Sequence, residues 1–533
     1  MKKFLSIILI FVFLLALAAC GEKEIKPDMD KVNEVISAIE DLPSKATASD
    51  EEDANFVVAM YEALSDEEKA LVSNKEVLDA VLRRIEYYKN ETSQIEKIAL
   101  DAKRYLESSI PSVIDYKTSK IELPAYYEGQ TEYEKYTINF YWTSSNSAVI
   151  DTAGNVMHDI SDEKVTLTCK LSHRKLSNIE DFSIEVNVAH ITFKPLNKGK
   201  VMSGYLYSRY PGFTKSDLDT LDIVYICFGQ IVERGGQFSI DISGINFLNT
   251  AKEIRNSGVR LVLSLGGWKD GEDAWTAYKN AASSEEGRKQ VAQSILDTLK
   301  TYHLDGIDMD WEYPTSQDRS NYTLLMKEIS ETLKAVNSGY LVSAAIPAGT
   351  WLTYSYDLRS LNNYLDYFNV MSYDLDDSSK TSHMCALYSS TYASESADNS
   401  LKYLANNGIS KTKLIIGAAF YGRIFYDVKS TNNGLGQSYS SKKSITYKEI
   451  KESYLSRVGR DVTRYYDSTA HAYYLYDATN KVFISYDEVE AVKEKCDYVI
   501  NNGYGGIMYW SYTDDLSGTL MDALDEKLAD MKK

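Results

Sequence analysis

Between Val201 and Trp510 the chain alternates eight short apolar runs with stretches whose apolar residues recur at helical spacing. The runs are Val201 to Tyr205, Ile223 to Phe228, Arg260 to Leu265, Gly306 to Asp310, Leu341 to Ile346, Tyr367 to Met371, Lys413 to Gly417 and Gly506 to Trp510. Strands joined through helices lie parallel, because the crossover returns the chain to the same end of the sheet. Eight such units can close on themselves, so the reading is α/β, a TIM or (β/α)8 barrel. The gap between the seventh and eighth runs is at least about twice the ~30 residues of a plain unit. A small α+β lobe is expected there, over about Asn432 to Asp487, forming a wall above the barrel.

The fourth run continues into Asp305-Gly306-Ile307-Asp308-Met309-Asp310-Trp311-Glu312. On a strand, alternate side chains share a face, so Asp308, Asp310 and Glu312 line one side and Ile307, Met309 and Trp311 the other. Three sheltered carboxyls at that spacing cannot all ionise cheaply, so at least one keeps its proton near neutral pH, as a general acid must. A solvated edge strand also alternates, but a closed barrel has no edges. Active sites of such barrels lie at the C-terminal ends of the strands, which is where Glu312 falls.

A formal net charge of -19 argues against nucleic acid or an anionic membrane surface as partner. A neutral ligand fits better. The 42 tyrosines could supply flat faces for stacking, although an A+T-rich coding sequence accounts for most of them. Lys2, Lys3, an apolar run from Phe4 to Leu17 and Ala18-Ala19-Cys20 form a secretory signal over residues 1–20. Leu17-Ala18-Ala19-Cys20 followed by Gly21 resembles the lipobox of bacterial lipoproteins, which implies lipid on Cys20 and a chain anchored to the cell membrane on its extracellular side. Cys169, Cys227, Cys385 and Cys496 show no pairing pattern, and no two of the six histidines stand at ligand spacing. No metal and no cofactor is implied.

Residues 21–98 read as a tether and a helical module, with Val32, Val35, Ile36 and Ile39, then Phe56, Val57, Met60 and Leu64, then Val77, Leu78, Val81, Leu82 and Ile85 as its apolar faces. The stretch from Tyr61 to Leu78 resembles helical spacers of Gram-positive surface proteins. Residues 99–193 turn to short β-like runs at Ile138 to Trp142, Val165 to Leu171 and Phe182 to Val188. The segment Tyr141 to Asn146, with Val149-Ile150 and Gly154, resembles bacterial Ig-like domains. There Trp142 is either a sandwich-core residue or part of a sugar-binding face.

Over residues 198–530, within a catalytic region placed at 196–533, the chain resembles glycoside hydrolase family 18, and among its members the bacterial chitinases. DGxDxDxE is intact from Asp305 to Glu312 and continues into Tyr313-Pro314. SxGG appears as Ser264-Leu265-Gly266-Gly267, and QMxYD as Met371-Ser372-Tyr373-Asp374 with Val370 in place of glutamine. Phe420-Tyr421-Gly422-Arg423 follows the seventh strand, and Trp510 ends the eighth. The resemblance implies hydrolysis of β-1,4-linked N-acetylglucosamine polymers such as chitin, with the substrate's own acetamido oxygen as nucleophile. Glu312 is then the acid and base, Asp310 holds the acetamido N–H, Asp308 shares a proton with Asp310, and Tyr373 donates to the acetamido oxygen. Asp374 bonds the adjoining sugar, Trp510 floors the pocket, Trp268 stacks the next sugar, and Met371, Tyr421 and Arg423 line the cleft. Tyr205 and Ser264 either buttress the acids or simply fill the barrel. The chain is expected to work as a monomer. An endo-β-N-acetylglucosaminidase acting on N-glycans shares this chemistry, and a silent sugar-binding barrel is the reading of another class.

Overall fold

The computed structural model describes residues 26–159, 161–196, 199–207, 212–245, 252–271, 274–349 and 353–533. The lipidation expected at Cys20 lies outside them. The chain divides into two compact units, one of residues 1–109, 124–141 and 169–182, the other of residues 110–123, 142–168 and 183–533.

In the first unit, helices Met29–Glu40, Glu51–Glu62 and Lys75–Lys89 bury Val32, Val35, Ile39, Val57, Leu78, Val81 and Ile85 in one core. Asp28 caps the first helix by accepting the N–H groups of Asp30 and Lys31, which would otherwise lack partners. Two residues assigned to the apolar faces point outward: Phe56 is 68% and Val77 47% exposed. Each precedes a buried residue, Val57 and Leu78, and a helix turns about 100° per residue, so both cannot face the core. The helix Glu91–Ser109 runs through residue 98 without a break. A hairpin then pairs Tyr126–Gln130 with the start of Lys135–Ser144 in antiparallel register.

The three expected β runs fall within strands Lys135–Ser144, Glu163–Ser172 and Phe182–Val188. In the second unit, Trp142 is partly buried against a cluster that includes Val165, Leu167 and Val186.

The second unit holds the barrel. Its strands are β1 (Val201–Tyr207), β2 (Ile223–Arg234), β3 (Arg260–Gly266), β4 (Gly306–Asp310), β5 (Leu341–Pro347), β6 (Tyr367–Met371), β7 (Leu414–Ala419) and β8 (Gly506–Trp510). Each pairs in parallel with its neighbours, and β8 pairs with β1 to close the ring. All eight expected runs are therefore barrel strands. The two faces of each strand divide the core: Val201, Tyr205, Tyr225, Val262, Ile415 and Met508 pack inside the barrel. Met202, Leu206, Ile307, Met309 and Trp311 pack outward with helix residues such as Ile295, Leu325 and Met326.

The foot of β4 is held by a buried ion pair. Arg255 Nε lies 3.0 and 3.1 Å from the two Asp305 oxygens, and its Nη2 lies 2.7 Å from Oδ1. Leu261 N–H donates to the same carboxylate at 2.7 Å.

The lobe between β7 and β8 is a five-stranded antiparallel sheet in the order Ser441–Thr446, Tyr421–Tyr426, Val482–Tyr486, Ala472–Asp477 and Val462–Asp467, with the helix Tyr447–Ser453. It begins earlier than the expected Asn432. Its first strand starts at Tyr421, two residues beyond the end of β7 at Ala419, so the lobe grows straight out of the barrel.

Candidate active site

Parallel register sets Asp308 of β4 directly beside Ser264 of β3 and Ser343 of β5. Both hydroxyls donate to it, Ser264 to Oδ2 at 2.8 Å and Ser343 to Oδ1 at 2.7 Å. Tyr205 adds a hydroxyl to Oδ2 at 3.0 Å, and the Asn369 amide approaches Oδ1 at 3.2 Å. Asn369 also donates to the Tyr205 oxygen at 2.9 Å, so the donors form a directed chain ending on Asp308. Four donors on one carboxyl match its ionised, acceptor-only form. Burial pushes the Asp308 pKa up, and these hydrogen bonds pull it back.

Asp310 sits two residues further along the same face, 3% exposed. Its Oδ1 is buried without a hydrogen-bond partner among the described residues. Burial first, then the charges of Glu312 and Asp308, push its carboxyl well above the ordinary range, which favours the protonated form. The proton sharing with Asp308 that the resemblance implies has no hydrogen bond here, because Asp308 spends its oxygens on Tyr205, Ser264, Ser343 and Asn369. Glu312 lies beyond the strand end, where burial pushes its carboxyl up to about 7; the charge of Asp374 adds to this and a hydrogen bond from Tyr313 opposes it.

Asp310 and Glu312 open into a cleft of about 800 Å3. Of the residues singled out from the sequence, Tyr205, Trp268, Met371, Tyr373, Asp374, Tyr421, Arg423 and Trp510 line it with them. Asp308 and Ser264 lie beneath the surface, both with no exposed area. Trp510 rests on Phe228, with ring centroids 5.6 Å apart and an angle of 18° between planes, and packs beside Tyr205 and Tyr207. Trp268 stands at the rim, 67% exposed, its indole N–H donating to Asp270 at 3.2 Å. Tyr373 is 9% exposed, and burial holds its hydroxyl far above the usual range, so it stays a donor.

Lobe and barrel meet through charge at the cleft wall. Arg423, on the first lobe strand, lies 2.8 Å from Asp374 and 3.8 Å from Asp376, and Lys442 of the next lobe strand reaches Asp376 at 2.5 Å. Asp374 adopts the left-handed backbone, φ 57°, which an aspartate tolerates better than a bulky residue. Two glycines shape the opposite side. A side chain on Gly266 would place its Cβ 2.1 Å from the Asp310 carbonyl oxygen, and one on Gly267 would meet the Phe228 ring at 2.3 Å. The two glycines of the SxGG motif are thus a steric requirement of packing the end of β3 against β4 and β2, while its serine donates to Asp308.

The sequence reading missed Phe228, Ser343, Asn369 and Asp376. Ser343 and Asn369 had a usable signal, since they are polar residues inside apolar strands and belong on the inward face by period-two counting. Phe228 and Asp376 had none, because only tertiary packing brings them to Trp510 and Arg423.

A family model described as Glycosyl hydrolases family 18 matches residues 201–515. Chitinase A1 of Niallia circulans is 30% identical over 318 residues, which is 53% of this chain and 44% of that protein. Endochitinase 1 of Metarhizium robertsii is 30% identical over 277 residues, 49% of this chain and 63% of the other. In both cases the match spans less than two thirds of the relative's length. Among solved structures, a family 18 N-acetylglucosaminidase from Paenibacillus barengoltzii is 31% identical, with a TM-score of 0.56, covering 61% of this chain and 99% of that one.

Proposed function

This chain belongs to glycosyl hydrolases family 18, and from that premise we propose that it is a chitinase, hydrolysing β-1,4 bonds between N-acetylglucosamine units with help from the substrate's acetamido group. The observation that carries the reading is Glu312, a carboxyl that burial raises to about 7 in a cleft lined also by Asp310, Tyr373 and Trp510. Such an acid holds a proton for the glycosidic oxygen at neutral pH and can lose it afterwards. As the leaving oxygen takes that proton, the acetamido oxygen attacks the anomeric carbon and the glycosidic bond breaks, giving an oxazolinium ion. Asp310, with Oδ1 unpartnered, accepts the acetamido N–H; Tyr373 donates to the acetamido oxygen. Water, deprotonated by Glu312, then opens the ring and regenerates the acetamide, so the anomeric centre keeps its configuration.

The test pairs Glu312→Gln with a change of substrate. The variant should lose at least about 100-fold in turnover on chitin oligosaccharides while still binding them. Replacing the acetylated sugar at the cleavage point by glucosamine should abolish hydrolysis by the unaltered enzyme. Cleavage after glucosamine at an equal rate would overturn substrate assistance. A second reading, an N-acetylglucosaminidase acting on short chains or glycans, is favoured by the relative of that title. The lobe wall favours a long polymer instead, and product analysis on chitin oligomers and a high-mannose glycopeptide separates the two. We also propose that lipid on Cys20 anchors the protein; Cys20→Ala should release it from the membrane fraction, and unchanged membrane association would refute this.

A further inference from the structure

The first unit has a cavity of its own, about 390 Å3, between the helix junction at Tyr88 and Glu91, the strand from Lys135 to Asn139 and the turn from His173 to Lys175. Its two acids are already engaged. Glu91 takes Lys175 at 2.6 and 2.7 Å and the Tyr136 hydroxyl at 2.9 Å, and although burial raises its pKa, these partners hold it below the ordinary range. Glu134 accepts the Tyr88 hydroxyl at 2.6 Å. Two cations lining the cavity are not engaged: neither Lys135 nor Arg174 has an ion-pair or hydrogen-bond partner for its side chain among the described residues. His173 Nδ1 accepts the Lys175 backbone N–H at 3.2 Å, which leaves Nε2 to carry the ring proton as a donor.

The cavity opens onto a sheet face suited to sugar rings. Thr137 and Asn139 alternate with buried residues along the strand, and Tyr141 follows on the same face, 59% exposed. Tyr126, 55% exposed, lies directly across from Asn139 in the hairpin. The two bare tyrosine rings flank Asn139 and offer apolar faces for pyranose C–H groups, while Asn139 and then Thr137, which faces Glu128 across the hairpin, supply polar groups for their hydroxyls on the way to Lys135. The unmatched cations beside them are what distinguishes this surface, since a chain of net charge -19 repels anions everywhere that local positive charge does not reverse the field.

We propose that this surface binds an acidic saccharide, with its rings on Tyr126 and Tyr141 and its carboxylate or phosphate on Lys135 and Arg174. The site is independent of the cleft chemistry, so it stands or falls separately from the hydrolase reading. The test uses the full chain carrying Glu312→Gln, titrated calorimetrically with a β-1,4-linked tetraglucuronate, a short glycerol-phosphate-substituted tetrasaccharide and neutral cellotetraose, none of which carries an acetamido group. At least one acidic probe should bind, and the two acidic arms decide whether carboxylate or phosphate is preferred. Arg174→Gln or Lys135→Gln should weaken that binding by about tenfold, the effect of losing one charge-assisted contact. Both side chains are exposed, so the variants should fold normally, which an unchanged melting temperature would verify. Tyr126→Ala should weaken it as well, and higher salt should weaken acidic probes only. Equal binding of cellotetraose would overturn the acidic assignment, inorganic phosphate competing as well as the sugars would reduce the site to an anion trap, and no binding by any probe would remove it.

Discussion

Removing the Ser264 or Ser343 hydroxyl should cost stability in a way that depends on pH. Each hydroxyl meets a different oxygen of a fully buried Asp308, at 2.8 and 2.7 Å, and the change to alanine removes one atom without opening a cavity of consequence. A hydrogen bond to an ionised group contributes about 1.5 to 3 kcal/mol, so each variant should lose about 2 kcal/mol where Asp308 is charged. For a unit of this size that lowers Tm by roughly 2 to 3 °C. The pKa of folded Asp308 already lies above its ordinary value because of burial, and losing a donor raises it further. A raised carboxyl contributes fully below the unfolded pKa and loses that contribution as pH rises through the folded one, where the lost hydrogen bond begins to count, so the penalty should be smaller at pH 4 than at pH 8. Ser264→Ala with Ser343→Ala should lose less than the sum, because both act on one carboxylate. Scanning calorimetry across that range reads all three variants. A Tm loss of equal size at pH 4 and pH 8 would refute the reasoning and reduce the serines to packing.

Because the acid must be protonated, kcat/KM on soluble chitin oligomers should fall above about pH 7, the value to which burial lifts Glu312. Asp374→Asn removes a charge that helps lift it and should move that limb to lower pH; an unmoved limb would dissociate Asp374 from the acid's tuning. Asp310→Asn should abolish turnover yet raise Tm, more at pH 8 than at pH 4, since burial and its neighbours penalise the ionised form on the alkaline side; a lower Tm at pH 8 would contradict this. Gly266→Ala should destabilise by about 3 kcal/mol or fail to accumulate, because its Cβ meets the Asp310 carbonyl at 2.1 Å and its φ is 127°; normal melting behaviour would show that β3 relaxes freely.

The barrel is legible in the sequence because its information is local. Period-two alternation in β4 alone sorts Asp308 and Asp310 inward and Ile307 and Met309 outward, and their contacts follow that sorting: Ile307 and Met309 join the outer core, Asp308 meets Ser264 and Ser343, and Asp310 lines the cleft. The Trp510 side of the cleft is half legible: Trp510 carries a motif, but Phe228 supports it from another strand, and no spacing in the chain announces that contact. Ser343 and Asn369 show the intermediate case, visible as polar residues in apolar runs but given meaning only by the register that sets them around one carboxylate. The lobe boundary escapes the sequence because Tyr421–Tyr426 reads as an ordinary apolar strand, and nothing local says that it leaves the barrel and pairs with Ser441–Thr446.

The ion pair at the foot of β4 bears on how variants of this chain would be read in a screen. Asp305 opens the same eight-residue motif that Glu312 closes, yet the barrel strand Gly306–Asp310 separates them and the Asp305 carboxylate bonds Arg255 and the Leu261 N–H. A clone that loses Asp305 and a clone that loses Glu312 would both score as inactive. The first strands a buried guanidinium without its counter-charge and depletes the protein from the culture; the second leaves a full yield of inert enzyme. Scoring colonies by activity per molecule, with total protein quantified in each well, assigns the two ends of one motif to opposite columns of the mutational map.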